Sequence, residues 1–113
     1  MKIGNRLGSI GNAISKVASA GGFGVITEYG GHGLDYNCPH AMPFVENKQK
    51  PNVGIRLVNG LTIAIEPMFV IGDTKTVVSK EDGWAVYTND IGAHFEDTVT
   101  LFNNELHIIT DSD

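Results

Sequence analysis

Glu66 stands in the middle of an apolar run. From Leu61 to Ile71 the chain reads Leu-Thr-Ile-Ala-Ile-Glu-Pro-Met-Phe-Val-Ile, closed by Gly60 and Gly72. A run this short, rich in β-branched residues and bounded by glycines, predicts a strand rather than a helix. Burying an unpaired carboxylate there costs several kcal/mol. Glu66 therefore either points to solvent from a strand end or is neutralised, paired or bound to a metal. Pro67 removes a ladder donor beside it, which predicts a bend at that point.

The sequence on either side predicts one α+β domain. Residues 9–20 form the only convincing helix, with Ile10, Ile14, Val17 and Ala18 on one face. Ser9 is the candidate N-cap and Gly21-Gly22 the stop. Val25-Ile26-Thr27 suggests a short strand. Residues 28–60 read mostly as irregular, with a possible strand over 53–58 turned by Asn59-Gly60 into the Glu66 strand. Strands then follow at Thr76-Val77-Val78, at Trp84 to Thr88 behind an Asp82-Gly83 turn, at Ala93 to Phe102, and at Leu106 to Thr110 behind Asn103-Asn104. One helix followed by antiparallel strands predicts a sheet with that helix covering it.

Composition limits the partners. Eight Lys and Arg against 13 Asp and Glu give a net charge of −5, which is not the footprint of a nucleic-acid or anionic-membrane binder. No apolar stretch reaches the ~20 residues that span a bilayer, and the start, Met-Lys-Ile-Gly-Asn-Arg, lacks a signal-peptide core. Cys38 is the only cysteine, so no disulfide framework or Cys-based zinc site is expected. The expectation is a soluble, cytoplasmic protein.

A second acid sits in a strand much as Glu66 does. In His94-Phe95-Glu96-Asp97-Thr98-Val99-Thr100-Leu101, alternation groups Glu96 with Thr98 and Thr100, and Phe95 with Asp97, Val99 and Leu101. If the second set faces a core, Glu96 could simply face water. Two such strands side by side could instead bring Glu66 and Glu96 to one ion. Paired carboxylates with an imidazole suit a catalytic Mn, Fe, Co or Zn centre. His32, between Gly31 and Gly33, is the best imidazole candidate, although a lone histidine is more often structural or surface-lying.

Taken together, Tyr29-Gly30-Gly31-His32-Gly33-Leu34, Ile63-Ala64-Ile65-Glu66-Pro67-Met68 and Phe95-Glu96-Asp97-Thr98 resemble the methionine aminopeptidases, and among them the bacterial type I enzymes. The resemblance runs from the helix to the final strand. It implies half of a pita-bread fold, with His32 and Glu66 ligating one metal and Glu96 bridging two. It implies that His40 contacts the scissile peptide, that Trp84 lines the methionine pocket, and that Glu66 also serves as the base. The implied reaction removes the initiator methionine from the N-termini of nascent polypeptides, a water acidified by two divalent ions (Co, Mn, Fe or Zn) attacking the first peptide carbonyl.

The resemblance covers only the C-terminal half of that catalytic domain, so residues 1–113 are expected to lack the N-terminal half, with its two Asp ligands and part of the pocket. An isolated chain is then expected to show little or no peptidase activity, to expose a sheet edge and an apolar face, and to need a separate N-terminal half as partner. Several positions depart from the family pattern: Asp35 replaces a glycine, His40 stands in His-Ala-Met-Pro rather than His-Glu-Glu-Pro, Asp97 replaces a histidine, and His94 replaces a glutamine. The alternative is a non-catalytic peptide- or protein-binding module on the same fold. An unrelated small β-rich protein would leave the three motifs a coincidence. Cys38 reads as a loop thiol, and His107 as a surface side chain.

Overall fold

The computed structural model describes residues 1–72, 74, 76–78, 81, 86–88 and 91–110. Helix α1 spans Gly8–Ala20. Its start differs from the expected one. Leu7 takes the N-cap position with no side-chain cap, and Ser9 already lies inside the helix. The entering amides find tertiary acceptors instead: Leu7 N–H donates to the Ile55 carbonyl at 2.8 Å and Gly8 N–H to the Val53 carbonyl at 2.9 Å. A helix end so supplied needs no hydroxyl cap. The same bonds explain why 53–58 is not the strand its sequence suggests. Its carbonyls serve the chain entering α1, and only an isolated bridge between Arg6 and Arg56 forms there.

The packed face of α1 also differs from the apolar pattern. Gly8, Ile10, Gly11 and Ala18 are buried, whereas Val17 is 66% exposed. The close approach decides the face: a Cβ at Gly11 would lie 2.4 Å from the Glu46 carbonyl oxygen. Only glycine lets segment 46–49 lie against the helix there.

Among the described residues ten strands follow: β1 Gly24–Val25, β2 Gly31–Asp35, β3 Cys38–Val45, β4 Thr62–Ile65, β5 Met68–Val70, β6 Thr76–Val78, β7 Val86–Thr88, β8 Gly92–His94, β9 Asp97–Phe102 and β10 Glu105–Ile108. They form a five-stranded antiparallel sheet in the order β10-β9-β4-β2-β3, a three-stranded sheet β1-β5-β8 and a hairpin β6-β7. The glycine- and proline-rich stretch read as irregular is thus two strands of the main sheet. Its prolines are tolerated because β3 is the sheet edge, where a missing N–H breaks no ladder. Its glycines are required in β2, where a Cβ at Gly31 would lie 2.0 Å from the Ala64 carbonyl oxygen and one at Gly33 2.0 Å from that of Met42. The first strand is shorter than expected, Gly24–Val25 only.

Ile10, Val45, Leu57, Ile63, Val99 and Leu101 form the core between α1 and the main sheet, with Ile14 and Ile65 packed against them. Asn103 and Asn104 at φ 51° and 61° make the tight turn from β9 to β10 that the Asn-Asn pair predicts. Phe95, expected on the core face, is 74% exposed, because it lies in a break between strands where alternation no longer applies. With Leu106 and Ile108 it flanks a groove of about 450 Å³ that also reaches Ile14 and Pro67. No helix among the described residues is long and apolar enough to cross a membrane.

Candidate metal centre

The run carrying Glu66 does not continue as one strand. β4 ends at Ile65, and β5 begins at Met68 in a different sheet. Pro67 has no N–H to extend the ladder, so the chain crosses from sheet to sheet at Glu66-Pro67, where the sequence predicts a bend. The stretch from Ala93 to Phe102, expected to be continuous, breaks in the same way at Phe95-Glu96, between β8 and β9. Ile65 pairs with Asp97 and Met68 with His94. The register therefore carries straight across both breaks and sets Glu66 opposite Glu96. The Phe95 amide donates to the Pro67 carbonyl at 3.2 Å, holding the two crossings together.

Like charges on directly opposed strand positions repel. Glu66 is also well covered, its side chain 14% exposed, which rules out a carboxylate pointing freely to solvent. His32, on β2 and paired with Ala64 of β4, completes the arrangement. One donor atom from each of His32, Glu66 and Glu96 lies within 4.8 Å of the other two. The His32 side chain is 17% exposed, and its Nε2 stands 3.0 Å from Glu66 Oε1, yet this buried nitrogen has no hydrogen-bond geometry to any partner. Its Nδ1 lies 2.9 Å from the Gly33 carbonyl. A carbonyl only accepts, so that contact places a proton on Nδ1 and leaves, in a neutral ring, the Nε2 lone pair facing the carboxylates. An unpartnered lone pair beside two opposed carboxylates fits a divalent cation of borderline or hard character.

His40, on β3, is exposed and lies beside this centre, its ring tilted by 41° and its centroid 4.2 Å from that of His32. Trp84 lies outside the described residues. His107 is exposed, as read from sequence. Cys38, read as a loop thiol, instead opens the edge strand β3, where it is exposed. Sequence reasoning missed two members of the surroundings. His94, noted only as a departure from pattern, places Nε2 3.6 Å from Glu66 Oε2. Asn47, taken as part of a polar loop, is 1% exposed, and its Nδ2 donates to the carbonyls of Glu66 at 2.8 Å and Tyr29 at 3.4 Å. The only hint of the latter was an Asn two residues after the apolar Phe44-Val45 pair.

Asn47 thus ties down the carbonyl of the residue whose carboxylate matters. Replacing it with leucine is expected to destabilise the chain by about 1–3 kcal/mol, since two partly buried carbonyls lose their donor. Urea unfolding of the metal-free protein would measure this, and a change below about 0.5 kcal/mol, the range of ordinary surface substitutions, would contradict it.

The family model for metallopeptidase family M24 matches residues 1–101. A methionine aminopeptidase of Clostridium acetobutylicum is 39% identical over 110 residues, 96% of this chain and 43% of the relative. That of Aquifex aeolicus is 42% identical over 113 residues, again 96% and 43%. The crystal structure of methionine aminopeptidase from Thermotoga maritima superposes with a TM-score of 0.92 at 38% identity, over 99% of this chain and 45% of that one. The chain spans less than half the length of these relatives, and its fold is that of half the pita-bread domain.

Proposed function

The chain belongs to metallopeptidase family M24, and we propose that it is the C-terminal, metal-binding half of a methionine aminopeptidase, acting in the cytoplasm on the N-termini of nascent polypeptides. The observation that carries this reading is the opposition of Glu66 and Glu96 across two aligned strand breaks, with the His32 Nε2 lone pair beside them. His32, Glu66 and Glu96 are the residues that would hold divalent ions, Co, Mn, Fe or Zn. Bound there, such ions supply an acidified water and positive charge for a developing oxyanion.

The protein's own groups have separate tasks in this reading. The Glu66 carboxylate accepts a proton at an oxygen held by a backbone that Asn47 fixes. His32 keeps its orientation through Nδ1–H to the Gly33 carbonyl. His40, exposed beside His32, is free to donate to the substrate's first peptide carbonyl. Trp84 is assigned to the methionine pocket by family pattern. The remaining part of the fold, in the same or a separate chain, would complete the ligand set and cover the apolar groove beside Phe95, Leu106 and Ile108.

Titration with Mn²⁺ or Co²⁺ tests the metal reading: the wild-type chain is expected to bind, and Glu96→Ala to bind at least about tenfold more weakly. Equal binding by both proteins would remove it. Incubated with either metal and a peptide beginning with methionine, the 113-residue chain alone is expected to show no turnover above background. Robust hydrolysis would show that these residues form a complete active site.

A further inference from the structure

Glu66 has two oxygens, and His32 faces only one of them. Oε1 is directed at His32 Nε2, 3.0 Å away. Oε2 is directed elsewhere, at His94 Nε2, 3.6 Å away. That separation is too long for a hydrogen bond. It is close to the spacing of two donors on one ion, since atoms about 2.1 Å from a shared metal lie about 3.0–3.4 Å apart at octahedral or tetrahedral angles.

The backbone fixes this contact. His94 closes β8 and pairs with Met68, the first residue of β5 after the Glu66-Pro67 crossing. Its side chain is 48% exposed, so the ring borders the open side of the carboxylate, whereas His32 sits on the covered side. The position holds glutamine in the family pattern, and a glutamine amide is a far weaker metal ligand than an imidazole.

We propose that His94 is a metal ligand of this chain, binding through Nε2 an ion shared with Glu66 Oε2. The proposal rests on the metal centre argued above and adds to it a second nitrogen donor, on the outward face. Glu66 thereby becomes a bridge between an inner position served by His32 and Glu96 and an outer one served by His94. Two imidazoles rather than one shift the preference of the centre toward Zn²⁺ and Co²⁺ and away from Mn²⁺.

Zn²⁺ titration of the uniformly ¹⁵N-labelled 113-residue chain, followed by long-range ¹H–¹⁵N correlation of the histidine rings, tests this directly. His94→Gln and His107→Gln provide the assignments, and both sites lie outside the core. Expected are shifts of Nε2 to metal-bound values for both His32 and His94, no change for His107, and a loss of at least about tenfold in Zn²⁺ affinity for His94→Gln by competition with a chromophoric chelator. If His32 shifts while His94 does not, or if His94→Gln keeps wild-type affinity, the outer ligand is refuted and the inner centre stands. If neither ring responds, the metal centre itself is refuted, and this inference with it.

Discussion

Glu66→Ala is expected to lower the affinity of the chain for Zn²⁺ or Co²⁺ by more than about 100-fold, beyond the 10- to 100-fold typical of losing an outer-shell partner. This one side chain meets every other group of the centre. Its Oε1 faces His32, its Oε2 faces His94, and its strand position opposes Glu96. Alanine leaves His32 with only the exposed Glu96 carboxylate near its buried nitrogen. The effect should exceed that of Glu96→Ala, whose carboxylate is more exposed. Isothermal titration calorimetry would read the difference, and a loss under tenfold would mean that the ion does not sit on Glu66.

The second large effect is on folding. Gly31→Ala is expected to destabilise the chain by about 3 kcal/mol or more, at the upper end of overpacking costs. The added Cβ would lie 2.0 Å from the Ala64 carbonyl oxygen and 3.2 Å from Val45 Cβ. The first contact is with backbone, which cannot rotate away. The strand β2 must therefore part from β4, and His32, the next residue, must leave its place beside Glu66. Urea denaturation should show a lower midpoint with an unchanged slope. A protein as stable as wild type would mean that β2 and β4 do not pack at this distance.

How much of this was legible in the sequence depends on the range of the interactions. The Glu66 run announced a strand, a bend and an ill-placed charge, because β-branched residues, a proline and a carboxylate act on their immediate neighbours. The Asn103-Asn104 turn and the β6-β7 pair were legible for the same reason. The strands β2 and β3 were not. Gly-Gly-His-Gly and Cys-Pro-His-Ala-Met-Pro carry loop chemistry, and only the surrounding sheet makes them extended: glycines because another backbone touches them, prolines because the edge asks for no donor.

The site divides along the same line. His32, Glu66 and Glu96 could be named from three short motifs that resemble a known family. Their opposition across matching breaks could not, since it requires the register of two strand pairs. His94 read as one departure from the family pattern near the ligands, and only the ladder placed it across from Met68 and beside Glu66. Asn47 had no periodic pattern to flag it, because its importance comes from a carbonyl nineteen positions away. Val17 misled in the opposite direction. Its helical spacing was correct, but backbone-to-backbone approach at Gly11 turned α1 onto a different side.

The paired crossings have a mechanical corollary. Because both acids ride on one hinge line, stitched by the Phe95 amide and pinned by Asn47, a tilt of one sheet against the other would carry them as a unit.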